Sequence, residues 1–534
     1  MPPPATGHVC LLGLGGHCFR PTPRPDCPQL ALIAPFSFLT SYAGKMSTLS
    51  KSAALAALQC SRRQWLTEHE PRAPFSDVAA LKRKNKAALV AAFRRTRSSD
   101  IFSPQDGDWP SQIAETEAAL SQGVRELHGA CFEIQEIRVR VDHLKETGDG
   151  WEATEVRGAG TAKASHTEHA AVVAFVLQKS GLVTTALKVA HVNTRWNGTT
   201  VTERFTEVDV TEAAHRKSTE FSAQLDRLQD ELAGPLPQAQ TGPHCKRPFE
   251  CRFFSRCHPE PEPHGLDELY RVKAKVLSKL RSSGINKIAD IPDDIQLPDI
   301  ARRQRTAVMT DQIVVAPGLL GTLDEIRYPA VYIDFEAIQP ALPPWPGCKP
   351  FGVIPVQVSL HRVEVDGTTV HSAWLAQRGT DPRPELASFL SAHLADAESL
   401  IAYHASFEQN VLGILSRYTT DTNADVLMAA RDRFVDLLPM VRNFIYHPSF
   451  HGRFSLKVVV EALLPHLSYT DLRVRRGDDA SLFLQDFLLH RVAESTDGDA
   501  EYRRDLLAYC ERDTLVMVHL ERLLRELAQQ SAEA

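Results

Sequence analysis

The 534-residue chain has no uninterrupted apolar run long enough to span a bilayer, so no membrane partner and a cytoplasmic location are expected. It also lacks an excess of positive charge. Sixty Lys and Arg stand against 66 Asp and Glu, a net charge of -6, which excludes a surface coated throughout for nucleic acid and leaves polyanion binding to local patches. No internal repeat is present. The ten cysteines do not frame a small disulfide-rich domain, which agrees with a reducing compartment. What remains, 43% hydrophobic and 24% charged residues, is the composition of a globular chain of about three domains at about 150 residues each.

Residues 1–45 stand apart, being rich in Pro and Gly, carrying Cys10, Cys18 and Cys27, and showing no sustained periodicity. Met46 opens a helical pattern and is the expected translation start, with 1–45 expected as a disordered or over-extended segment. A targeting peptide is the alternative, because "LALIAPFSFLTSYAG" is apolar and follows Arg20 and Arg24. From 46 to 262 helices surround a strand-rich centre, "CFEIQEIRVRVDHL", "GWEATEVRG" and "TALKVAHVNTRW", which predicts an α/β unit. Residues 263–325 read as a helical basic connector, with "LRSSGINKIADIP" forming two short helices joined at Gly284. Residues 326–530 predict a second α/β unit with a hairpin turn at Asp366-Gly367. Two basic stretches, one from Lys82 to Arg97 and one from Arg271 to Lys287, fit either solvated helix faces or phosphate tracks.

The stretch "PAVYIDFEAI" reads as a buried strand interrupted by Asp334 and Glu336. Alternation puts these two acids on one face, about 7 Å apart, and Ile333 and Phe335 on the other. Two carboxylates on an apolar strand need a cation or a solvent-filled cleft, and a divalent metal is the economical explanation; a strand end emerging into water is the alternative. Downstream, "SLIAYHASFEQNVLGIL" is a strand, a turn and a helix with Glu408 in its first turn, a position that also suits an ordinary dipole-satisfying acid. In "DLLAYCERDTLVMVHL", Tyr509 and Asp513 stand four apart and share a helix face lined with apolar residues.

The set D-x-E on a first strand (Asp334, Glu336), an acid after a strand and turn (Glu408) and Y-x-x-x-D on a late helix (Tyr509, Asp513) resembles the DnaQ-like exonucleases of the DEDDy type. The resemblance implies an RNase H-like fold and two divalent ions, Mg²⁺ or Mn²⁺. Asp334 would bridge them, Glu336 and Asp513 would complete one site, Glu408 would support the other, and Tyr509 would orient the attacking water. Two positions depart from the pattern: Glu408 stands where Asp is general, and His404 where Asn is common. His451, Arg453 and Lys457 in "HPSFHGRFSLKVVVEALLP" are candidate phosphate contacts, with a plain surface loop as the alternative. The segment Arg475 to Ser481 is a candidate second loop of the same kind or a turn.

"GPHCKRPFECRFFSRCHP" places Cys245, Cys251 and Cys257 at equal intervals, and "LQCSRRQWL" offers Cys60. One early cysteine and three late ones around "RVRVDHL" and "EATEVRG" resemble the RecB-like PD-(D/E)xK nucleases that carry an iron-sulfur cluster. That implies a 4Fe-4S cluster on the four thiolates, with Zn²⁺ as the alternative and unligated cysteines as the plain one. In those nucleases an aspartate and a Glu-x-Lys hold the metal. Asp142 and Glu155 match, but Arg157 replaces the lysine and Val173 stands where the family tends to place a glutamine. The front domain is therefore expected to be a degenerate nuclease fold.

The whole arrangement resembles an uncharacterised bacterial family described as a domain of unknown function. It implies an α/β protein with a RecB-like front, a helical connector and a DnaQ-like back, acting as a metal-dependent 3′–5′ exonuclease on DNA or RNA. A silent nucleic-acid-binding scaffold is the second expectation, and cutting by the front domain the third.

Overall fold

The computed structural model describes residues 48–70, 77–198, 200–258, 262–489 and 496–533. The expectations for residues 1–45 and for the start at Met46 lie outside them. The chain is mixed α/β, with several sheets and 17 α-helices among the described residues.

The front unit starts with β1 (Leu49–Ser50), α1 (Lys51–Gln59), α2 (Ser61–His69), α3 (Asp77–Arg94) and α4 (Trp109–Ser121). Ser50 caps α1, its hydroxyl accepting a hydrogen bond from the Ala53 amide at 3.2 Å. A hairpin of β2 (Glu126–Ile134) and β3 (Ile137–Thr147) follows, turning at Gln135 and Glu136, both at positive φ. Two left-handed residues give the mirror-image turn that matches the twist of the strands. Next come β4 (Gly150–Arg157), α5 (Ala164–Lys179), β5 (Thr184–Val192), β6 (Phe205–Asp209) and α6 (Thr211–Ala233). The sheet runs β1-β3-β4-β5-β6 with β2 beside β3, and β4 and β5 are parallel, joined across α5. Helix α5 buries eight consecutive residues, Ala170 to Leu177, because the sheet covers one side and α1 and α6 cover the other.

After the short α7 (Phe254–Cys257), the connector places α8 (Ala274–Ser282) and α9 (Asp299–Thr310) around a small core that includes Leu266, Leu280, Ile288 and Ala301. Gly284, at φ 82, ends α8, and a single 3₁₀ turn, Ile288–Asp290, takes the place of the second expected helix.

The back unit comprises β7 (Val314–Val315), α10 (Leu319–Leu323), β8 (Ala330–Ile338), β9 (Ile354–Val363), β10 (Thr369–Leu375), α11 (Pro382–Leu394), β11 (Ser399–Ala402) and α12 (Ser406–Leu415). It continues through α13 (Asp421–Arg431), β12 (Phe434–Asp436), α14 (Leu437–Phe444), β13 (Ile445–Tyr446), α15 (Leu456–Leu463), α16 (Gly477–Leu489) and α17 (Thr496–Glu533). Its main sheet runs β10-β9-β8-β11-β12: the first three strands form an antiparallel meander, and β8, β11 and β12 are parallel. The β9–β10 turn uses Asp366 and Gly367, the Asp366 carboxylate accepting from the Thr368 amide at 2.9 Å.

Strand alternation on β8 sorts the core in two. Val331, Ile333 and Phe335 pack with Leu386, Leu390, Val411 and Leu412 of α11 and α12. Ala330 and Tyr332 pack on the other face with Leu506, Tyr509, Val516 and Leu520 of α17. Front and back meet at α3. Lys84 of α3 pairs with Asp486 of α16 at 2.6 Å, and Leu89 and Phe93 share a cluster with Val156, Ala190 and Val192 that also takes in Ala341, Leu342 and Phe351. Phe93 is fully buried. Phe93→Ala is expected to destabilise the protein by about 3–5 kcal/mol, read as a lower denaturant midpoint of the transition that reports the front sheet; an unchanged midpoint would remove Phe93 from the core of the join.

Candidate active site

Asp334 and Glu336 lie on the β8 face turned toward α17, and on that helix Tyr509 and Asp513 belong to the inward stripe of Leu506, Cys510, Val516, Met517 and Leu520. Strand and helix therefore aim their acids at one point. Ligand oxygens of Asp334, Glu336 and Asp513 lie within 4.8 Å of one another.

Glu408 arrives in the first turn of α12, which follows β11, the parallel strand beside β8. It is 5% exposed, and its Oε2 has no hydrogen-bond partner. Its helix is anchored by Asp436, at the end of β12, whose carboxylate accepts from the amides of His404 (2.8 Å), Ala405 (3.2 Å) and Leu438 (2.9 Å). His404 itself is held in the left-handed region at φ 74. Glu408 does not join the close group of three, but its charge reaches Asp334.

The electrostatics follow from this crowding. Burial, followed by the charges of Asp513, Glu336 and Glu408, holds the Asp334 carboxyl well above its ordinary range. Burial pushes Glu408 up to about 8, with Asp436 adding to the shift. Asp513 is raised to about 6 by burial, against the opposing hydrogen bond from Tyr469 and the nearby Lys457 charge.

A polar rim completes the site. Tyr469 Oη donates to Asp513 Oδ1 at 2.5 Å, and Lys457 Nζ donates to Tyr509 Oη at 3.0 Å and to the Arg475 carbonyl. The ammonium lies over both rings, 4.8 Å from the centroid of Tyr469 and 4.7 Å from that of Tyr509. Burial and the neighbouring acids raise the Tyr509 phenol, so it stays protonated at neutral pH. Cys510 Sγ packs against the Asp334 carboxylate at 3.5 Å. Gly477 borders the same space, where a Cβ would stand 3.7 Å from Tyr509 Oη and 3.9 Å from Glu336 Oε1. Residues Arg475 to Ser481, read as a loop or turn, run into α16 from Gly477, with the Ala480 amide already bonded to the Arg476 carbonyl at 2.9 Å.

Of the three candidate phosphate contacts, Lys457 stands in the site and Arg453 is exposed. His451 bonds to Glu268 of the connector at 2.9 Å. Asp436, Tyr469 and Cys510 were not foreseen. Asp436 had a signal, an acid directly before the helix-forming "LLPMVR", which is an N-cap pattern. Tyr469 had none.

The front site is arranged differently. Asp142 on β3 is buried and accepts from the Val156 amide at 2.8 Å. Glu155, 1% exposed, is gripped by Lys51 Nζ at 2.6 Å from both carboxylate oxygens and by Arg157 Nη2 at 2.6 Å. Lys51 opens α1, 104 residues before Glu155, and sequence reasoning missed it. Two cations thus compensate two acids internally. Val173 lies fully buried in α5.

Cys60 ends α1 and shares a pocket lining with Cys245, Cys251 and Cys257. Gln59 Nε2 pins the late segment to α1 through the carbonyls of His244 (2.5 Å) and Phe249 (2.8 Å). Burial raises the Cys60 thiol, and the neighbouring Cys251 and Cys245 sulfurs raise it further.

No helix among the described residues is long and apolar enough to cross a membrane.

Raised carboxyl pKa values fix the sign of a pH effect. Between the unfolded carboxylate range near 4 and the folded values of about 6 and 8, the native state binds more protons than the unfolded one, so stability falls as pH rises. The metal-free protein is expected to lose Tm from pH 5 to 8, and Mg²⁺ or Mn²⁺ to raise Tm more at pH 8 than at pH 5. Asp334→Asn should flatten both trends, and a wild-type Tm that rises over this interval would contradict the geometry. In the front unit, Lys51→Met leaves the buried Glu155 short of a cation and is expected to cost about 3–5 kcal/mol, much of it recovered by adding Glu155→Gln; equal stability of single and double variants by denaturant titration would contradict this.

Comparison with known proteins adds one match: the family described as a domain of unknown function (DUF2779) matches residues 331–455, from β8 to the turn before α15. The matched stretch holds Asp334, Glu336, Glu408 and Asp436, while Tyr509 and Asp513 lie beyond it. No curated protein matches the chain. The chain thus carries, over residues 331–455, a domain consistent with an uncharacterised family.

Proposed function

We propose that the back unit is an RNase H-like, DnaQ-like domain that hydrolyses the terminal phosphodiester of DNA or RNA from the 3′ end. The observation that carries this reading is the convergence of Asp334, Glu336 and Asp513 within 4.8 Å, with Glu408 buried beside them and one of its oxygens unpartnered. The strand order, a meander followed by two parallel strands with a helix across one face, also supports it.

The donor set fits hard divalent cations: it is all oxygen, and burial and mutual repulsion raise Asp334 well above its ordinary range. Asp334, Glu336 and Asp513 would hold one ion and Asp334 with Glu408 a second. Bound there, Mg²⁺ or Mn²⁺ would supply the charge that activates water and stabilises the leaving oxygen. The remaining work belongs to side chains. Tyr509, kept protonated by burial and the neighbouring acids and oriented by Lys457, holds a hydrogen-bond donor at the site edge to position the attacking water. Tyr469 fixes Asp513 in one rotamer. Attack on phosphorus breaks the bond to the 3′ oxygen of the preceding nucleotide, releasing a 5′-mononucleotide and a new 3′-hydroxyl.

The front unit, in this reading, is a RecB-like fold that does not cut. Lys51 supplies the lysine that Arg157 replaces, but both Glu155 oxygens are engaged by its ammonium and one also by Arg157, so the acid pair carries no uncompensated charge for a metal. For the cysteines we infer a 4Fe-4S cluster over zinc. Cys60, Cys245, Cys251 and Cys257 line one pocket, and thiolates are the usual ligands of such clusters.

The test is degradation of end-labelled single-stranded DNA and RNA with Mg²⁺ or Mn²⁺. Wild type is expected to release mononucleotides from the 3′ end; Asp334→Ala should lower the rate by at least about 10²-fold, the scale for losing one electrostatic stabiliser, with unchanged folding by circular dichroism. Asp142→Ala should leave the rate unchanged. Loss with Asp142→Ala alone would move the cutting to the front unit, and no cleavage with retained nucleic-acid binding would favour a silent scaffold.

A further inference from the structure

A second group of side chains has the composition of a metal site and no part in the proposed reaction. His264 lies just before the 3₁₀ turn Leu266–Glu268 of the connector and Glu268 ends it, and His451 lies in the turn between β13 and α15. One ligand atom from each lies within 4.8 Å of the others. His451 Nδ1 is 2.9 Å from Glu268 Oε2, and His264 Nδ1 is 3.7 Å from the same oxygen. Nitrogen and oxygen ligands about 2.0–2.2 Å from a tetrahedral zinc stand about 3.3–3.6 Å apart, a separation that the two observed edges bracket. The His264 Nδ1 atom is buried and has no hydrogen-bond partner. An imidazole nitrogen withdrawn from water, beside a carboxylate but without a hydrogen bond, is a position that asks for a ligand.

The backbone holds the three residues in place from both sides. His264 and His451 adopt left-handed φ values of 62 and 47, conformations that non-glycine residues rarely take. Gly452, at φ 71, presses against the connector so closely that a Cβ there would collide with the Glu268 carbonyl oxygen. That carbonyl accepts from Gln304 Nε2 at 2.8 Å, and Tyr446 Oη accepts from the Gly452 amide at 2.8 Å. The His264 amide donates to Glu268 Oε2 at 3.2 Å, which orients the carboxylate. The two imidazoles lie nearly parallel, 5.1 Å between centroids and 10° between planes.

We propose that His264, Glu268 and His451 bind one divalent transition-metal ion of the zinc class, which clasps the connector to the turn that leads into α15. Two imidazoles and one carboxylate select such an ion over Mg²⁺, which prefers oxygen ligands throughout. The side chains are 30%, 16% and 34% exposed, so the ion can enter from solvent and keep a water in the fourth position.

The experiment is equilibrium dialysis of the full chain, stripped with chelator, against Zn²⁺ in excess Mg²⁺, with bound zinc counted by atomic absorption. The double variant His264→Ala/His451→Ala is expected to hold one zinc equivalent per chain fewer than wild type, and Cys251→Ser to keep that equivalent. Replacing Zn²⁺ by Co²⁺ should give wild type a visible band without thiolate charge transfer that the double variant lacks. If the double variant does not fold, Glu268→Gln, which keeps the side-chain shape, must lose the same equivalent. Equal zinc content in wild type and a folded variant would overturn the site.

Discussion

Mutual repulsion among buried carboxylates is the constraint around which the back unit is arranged. Asp334, Glu336, Asp513 and Glu408 come from two neighbouring parallel strand regions and one long helix, and a fold that only had to be stable would gain by making any of them apolar. Burial and mutual repulsion still hold Asp334 well above its ordinary range, with Lys457 the nearby cation. Lys457 reaches Tyr509 and a backbone carbonyl, Tyr469 gives Asp513 a single hydrogen bond, and Glu408 keeps an oxygen without a partner. The front unit shows the opposite solution with the same residue types: Lys51 and Arg157 close on Glu155, and the pair of acids becomes an internal ion cluster. This difference in how the two acid clusters are compensated supports the proposal that chemistry lies in the back and structure in the front.

The sequence showed those features that depend on local period. Alternation on β8 put Asp334 and Glu336 on one face and Ile333 and Phe335 on the other, and the four-residue spacing put Tyr509 and Asp513 on one stripe of α17. Both are rules of a single element. Features that join distant segments were not legible. Lys51 reaches Glu155 across 104 residues, Tyr469 reaches Asp513 across 44, and Asp436 fixes the turn at His404 across 32. No local pattern marks which lysine or tyrosine will be brought to a given acid. His451 and Lys457 looked equivalent as basic residues in one polar stretch, yet one faces Glu268 and the other Tyr509, because the start of α15 lies between them.

Long-range placement also sets where Glu408 lies. Asp436 caps α14 and binds the amides of His404 and Ala405, which fixes where α12 begins and therefore where the longer side chain ends. The meander, the parallel strands and α17 then act as a frame that holds the acid cluster and its two tyrosines, and a second buried polar set, Ser359, His361 and Thr514, bonds β9 to α17. Helix α3 and the loop after β8 tie this frame to the front sheet through Phe93 and Lys84.

Counting bound Mn²⁺ tests the central claim most directly. The metal-free protein would be titrated with Mn²⁺ at neutral pH and the free ion followed by electron paramagnetic resonance, for wild type and Asp334→Asn. Wild type is expected to bind two more ions per chain than the variant, because Asp334 would be shared between both positions. Identical binding curves would show that the carboxylates of β8 and α17 do not gather cations, and would contradict the account.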